Sequence, residues 1–227
     1  MKVEVVKQEG TLTRAPLKTP RAAAIAGIVF SILLIASLVL IRISVPANPQ
    51  DAGTWLSSGW KTVSLALHLL PFAGIAFLWF IGVLRDRIGA HEDRFFATVF
   101  LGSGLLFLAM LFASAGVAGG IMMIYATTPG KLMESGAYTF GRTVAYQIMN
   151  VYAMKMAGVF MITTCTLSIR TGIFPRWMAF LGYGLALLLL LSIGYLYWAP
   201  LGFPLWVLLI SVHILLANLK AKPAPEL

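Results

Sequence analysis

Apolar residues fall in long runs along this chain, and polar residues gather almost entirely between them. The runs are Ala22–Ile41, Val63–Leu84, Phe95–Tyr125, Phe140–Ile169, Trp177–Trp198 and Leu201–Leu219, and none contains an Asp or a Glu. In runs that are apolar on every side, periodicity does not separate helix from strand, but length does. A bilayer core about 30 Å thick needs about 20 apolar residues per helix. With no water to satisfy the backbone, a single span of this length must be helical. The pattern therefore predicts an all-α, polytopic membrane protein built as a six-helix transmembrane bundle. The third and fourth runs, 31 and 30 residues long, exceed one simple crossing. They are expected to tilt or to project past the bilayer as a hairpin with its tip around Thr128–Gly136.

Composition agrees with the pattern. Hydrophobic residues make up 59% of the 227 positions and charged residues 11%, against about 25% charged in a soluble domain. Residues 22–219 form the transmembrane domain, between a basic tail, 1–21, and a short tail, 220–227. Met1–Ile41 is too long in both its basic and its apolar part for a cleaved secretory signal, so the first run is expected to be a signal-anchor helix. The single cysteine, Cys165, lies inside a run, so no intramolecular disulfide can form.

The net charge of +9 matters less than where the charges fall. With six crossings, one side receives twelve cations: Lys2, Lys7, Arg14, Lys18, Arg21, Arg85, Arg87, Arg94, Arg170, Arg176, Lys220 and Lys222. The other side receives four, Arg42, Lys61, Lys131 and Arg142. The positive-inside rule then places both termini in the cytoplasm. A five-helix alternative, with a re-entrant Trp198–Pro204 turn, would put Lys220 and Lys222 outside. Trp55, Trp60, Trp177, Tyr197 and Trp198 occupy positions suited to interfacial anchors. The basic face, with Lys7, Arg14, Lys18 and Arg21, is expected to meet anionic lipid head groups.

Two hairpins on the basic side look alike: Arg94-Phe-Phe-Ala leads to Leu101-Gly-Ser-Gly-Leu105, and Arg176-Trp-Met-Ala leads to Leu181-Gly-Tyr-Gly-Leu185. The alternatives are a parallel internal duplication and two convergent hairpins. The segments beginning Phe77-Leu-Trp-Phe-Ile-Gly-Val-Leu-Arg85, Asp93-Arg-Phe-Phe-Ala and Arg170-Thr-Gly-Ile-Phe-Pro-Arg-Trp177 resemble an uncharacterised family of bacterial six-helix integral membrane proteins. The resemblance covers the second to fifth helices. It implies a bacterial cytoplasmic membrane and no particular activity.

Polar groups inside the runs are the candidates for function. Lys155 is an ionisable residue within a span and so a functional candidate by default. Counting back from Arg170, it lies about 7.5 Å below the membrane surface, within reach of a snorkelling side chain. Gln147, Asn150, Met154, Gly158, Met161, Cys165 and Ser168 share one stripe of the fourth helix. Tight packing against neighbours and a hydrated vestibule starting at Gln147 and Asn150 are the two readings of that stripe. His68 and His213 differ in depth, about 7.5 Å against about 18 Å, so they do not suit the two axial positions of a haem. Pro71 is expected to kink the second helix, which points to a cavity nearby. Gly116-Val-Ala-Gly-Gly120, within the small-residue run Ala113–Gly120, permits close helix approach, within the chain or in a homodimer.

No phosphate-binding glycine loop, helical two-His metal spacing or acid–base pair occurs within the spans, and His91–Arg94 reads as a charged loop. No cofactor, metal or nucleic-acid partner is expected. The sequence reads as a non-enzymatic accessory or structural membrane protein, with the bilayer and a second copy or a membrane-complex partner as its surroundings. The alternative is a small transporter or channel-like protein that passes a polar or anionic solute along the fourth-helix stripe.

Overall fold

The computed structural model describes residues 19–46, 53–88, 94–192 and 198–220, and every regular element among them is helical. In chain order these are α1 (Thr19–Ser44), the single turn α2 (Trp55–Ser58), α3 (Trp60–Ile88) and α4 (Arg94–Thr127). Then come the short α5 (Pro129–Glu134), α6 (Ala137–Gln147), a π-helical stretch (Ile148–Ala153) and α7 (Met154–Thr171). Last are α8 (Arg176–Leu191), a 3₁₀ turn (Ala199–Leu201) and α9 (Gly202–Lys220).

Five of these segments are long and apolar enough to cross a membrane: Arg21–Ser44, Trp60–Arg85, Phe95–Thr127, Ala137–Thr171 and Ala199–Leu219. The architecture is that of a helical membrane protein. The two longest runs behave as their length requires. α4 reaches Thr127, α5 forms the tip of the hairpin, and the chain returns as one composite helix from Ala137 to Thr171. The fifth apolar run departs from expectation. Its 16-residue helix stops at Leu191, about 24 Å in length, and Ser192 is extended with ψ of 119°. The rest of that run, 193–197, lies outside the described residues, as do most of the basic tail, the Asp51 loop, His91–Asp93 and residues 221–227.

A cluster of phenylalanines, drawn from five helices, fills the centre of the bundle. Phe30 of α1, Phe77 of α3, Phe107 of α4, Phe160 of α7 and Phe203 of α9 are all fully buried. Phe77 lies 4.5 Å from Phe30, 5.4 Å from Phe107, 5.3 Å from Phe160 and 5.7 Å from Phe203, centroid to centroid. Tilted and edge-on rings at such distances attract beyond the area they bury. The outer surface is apolar too: Ile32, Phe72, Trp79, Phe180, Leu187 and Leu191 are all exposed. Such a surface suits acyl chains.

Several hydroxyls inside the spans bond locally. Ser31, Ser37, Thr163 and Thr164 each donate to the carbonyl four residues back, which satisfies them without water. The two similar hairpins start their helices alike, at Arg94 and Arg176, but pack differently. Gly182 faces Cys165 and Trp206 with no room for a side chain, whereas its counterpart Gly102 faces open space. At this end of the bundle the Arg170 guanidinium lies 4.9 Å over the Phe96 ring, joining the end of α7 to the start of α4.

Candidate functional site

At the opposite end, α1 and α3 separate from α4 and α6 around a cavity of about 350 Å³. Its walls are mainly aliphatic: Leu38 and Ile41 from α1, Leu67 and Leu70 from α3, Leu111 and Ala115 from α4, and Met149 from the π stretch. Its polar lining comprises Arg42, Arg142, Ser114, Thr143, Tyr146, Gln147, Asn150 and Trp55. Among these residues are two cations and no carboxylate.

Local sequence explains why the walls stand where they do. Gly141 lets α6 lie close to α4: a Cβ there would come within 3.0 Å of Ile121. Ser114 of α4 donates its hydroxyl to the carbonyl of Ala145 at 2.8 Å. The Asn150 amide donates to the next carbonyl, Tyr146, at 3.0 Å. Side chains thus bond to two carbonyls immediately before the helix widens, and side-chain insertion into the ladder is a recognised cause of such distortion. π-Helical turns are rare and are often found at functional sites. Here the widened turn carries Asn150, 9% exposed, with its Oδ1 accepting from Arg42 Nη2 at 2.6 Å.

The upper wall is a second network. Gly53 has φ of +80°, a conformation open to glycine, and turns the chain into α2. Trp55 is thereby buried and donates Nε1–H to the Tyr138 hydroxyl at 2.8 Å. Arg142 donates to the same hydroxyl at 3.3 Å and to the carbonyl of Pro46 at 2.6 Å. Trp55 is therefore a packing residue of this wall and not a lipid-facing anchor, in contrast to Trp177 and Trp198, which are exposed.

Gln147 and Asn150, of the five candidate residues, line the cavity. Lys155, about 7.5 Å further along the helix axis than Asn150, is half-buried outside the lining and makes no hydrogen bond or ion pair among the described residues. His68 is exposed on α3, with its Nδ1 2.6 Å from the Ser64 carbonyl. His213 is half-buried on α9, away from the lining residues. The structure does not gather these three with the cavity pair. From Asn150 downward the stripe is sealed. Met154, Met161, Cys165 and Ser168 are each 1% exposed or less, and Gly158 is buried against Leu190 and the Ala186 carbonyl. The small-residue run of α4 has an unexpected arrangement: among the described residues, a Cβ added at Gly116, Gly119 or Gly120 would meet nothing from another element within 4 Å, while Ala115 and Ala118 line the cavity. Packing among the described residues therefore does not account for those glycines.

Sequence reading passed over the two arginines as topology markers. A signal was present for Arg142, which lies within the fourth apolar run just as Lys155 does. Arg42 directly follows the first run. The missing information was the hairpin that brings residues 42 and 150 together, 108 positions apart.

Fold and site together define a helical membrane protein with an arginine-bearing cavity at one end of its bundle. No protein-family model matches the chain, nor does any curated protein or solved structure. The resemblance to the bacterial six-helix family thus rests on the quoted motifs alone.

Proposed function

We propose that this is a non-enzymatic membrane protein with six crossings and both termini in the cytoplasm, which holds a solute in a blind vestibule facing outward. The observation that carries the reading is the cavity itself, lined by Gln147, Asn150, Arg42 and Arg142 and ending at a packed stripe. The twelve-to-four cation bias supports the orientation. α8 is taken as the short fifth crossing. A lining with no Asp, Glu, His or Cys among the described residues favours binding over acid–base or nucleophilic chemistry.

A second reading, transport of a polar or anionic solute, draws support from the same cavity and would need the stripe below Asn150 to open. Cysteine-accessibility scanning from Gln147 to Ser168, with Cys165 replaced by Ser, separates the two. A blind vestibule predicts labelling at 147 and none from 154 to 168. Labelling throughout would establish a hydrated pathway and replace the binding reading with transport.

A further inference from the structure

Resting on the vestibule reading, we infer that its ligand is a single-chain amphiphilic anion, an alkyl carboxylate or alkyl phosphate. The head would lie at Arg142 and the Arg42–Asn150 pair, and the tail along Leu38, Leu70 and Leu111. Three observations converge on this class. The lining is divided by chemistry: aliphatic side chains form its floor and sides, and both cations come from its upper, helix-end part. A small hydrophilic ion would leave the aliphatic walls without a partner, and a neutral hydrocarbon would make no use of the polar, cationic part of the lining.

The second observation is the bonding of Arg142. Its described partners are neutral, the Tyr138 hydroxyl and the Pro46 carbonyl. A guanidinium carries five N–H donors, so donors remain for an oxyanion while these two bonds hold the group in place. Arg binds carboxylate and phosphate with matched planar geometry. The third is size. About 350 Å³ is at the small end of ligand sites, suited to one chain and too small for a two-chain lipid. The position of Arg42 at the end of the first apolar run also fits an amphiphile, whose charged head belongs at the membrane surface and whose tail belongs below it.

The test uses the full chain in phosphatidylcholine nanodiscs and hexadecanoate bearing a diazirine near its terminal methyl. The expected result is crosslinking to Leu70, Leu111 or their neighbours. Unlabelled hexadecanoate or hexadecyl phosphate should compete, and the more effective of the two identifies the head group. Hexadecanol and inorganic phosphate should not compete. Arg142→Gln should weaken binding about tenfold or more, the scale of a hydrogen bond to a charged group, and Arg142→Lys should retain part of it. Competition in the wild-type protein decides the matter even if a variant fails to fold. Equal competition by hexadecanol would overturn the anionic head, and competition by inorganic phosphate would overturn the tail, and both leave the vestibule standing. Crosslinks spread over lipid-facing residues such as Leu187 would overturn the ligand class. The vestibule itself would fall only if position 147 also proved closed to water.

Discussion

Asn150 holds the site together, because its amide bonds in two directions: Oδ1 to Arg42 and Nδ2–H to the Tyr146 carbonyl. Asn150→Ala removes both bonds from a buried position, at a cost of about 1–3 kcal/mol. A lowered thermal midpoint in detergent would register the loss. Lys155 makes the contrasting case. With no described hydrogen bond or ion pair to lose and a stem that packs much like Met, Lys155→Met should change stability by no more than about 0.5 kcal/mol. A large drop in the midpoint would show that the ammonium has a structural partner. Both residues stand out equally in the sequence as polar groups inside an apolar run. Their difference comes from a single turn of helix and from what the partner helix brings opposite, which no local pattern encodes.

Helices were more legible than sites. Run length alone anticipated the hairpin whose tip is α5, because 31 and 30 apolar residues cannot both cross and stop. Pro71 pointed to a nearby cavity, and Leu67 and Leu70, in the turn before it, line one. The π stretch was not legible, since it depends on bonds from Ser114 and Asn150 to adjacent carbonyls, one of them across a helix pair. The close approach of α6 to α4 is testable at Gly141. Gly141→Leu should force α6 away from Ile121 and destabilise by about 1–3 kcal/mol, as overpacking does. The central ring cluster should be more sensitive still. Phe77→Ala leaves a void touching Phe30, Phe107, Phe160 and Phe203, at about 3–5 kcal/mol. Urea or thermal unfolding of the two variants, compared with wild type, checks both magnitudes and their order.

At the scale of the whole molecule, a packed aromatic centre separates the end that carries Arg170 and Phe96 from the end that carries the vestibule. Reporter fusions after Gly10 and after Pro223 should both read cytoplasmic, and an external signal from the second would remove the six-crossing arrangement. The central claim is that Gln147 meets water in a cavity enclosed by protein. Nitroxide labels at position 147, and at exposed Leu187 for reference, in a Cys165→Ser background, read this directly by collision with a water-soluble nickel chelate and with membrane-soluble oxygen. The account predicts that nickel dominates at 147 and oxygen at 187. Oxygen dominance at 147 would place that residue among acyl chains and contradict the vestibule.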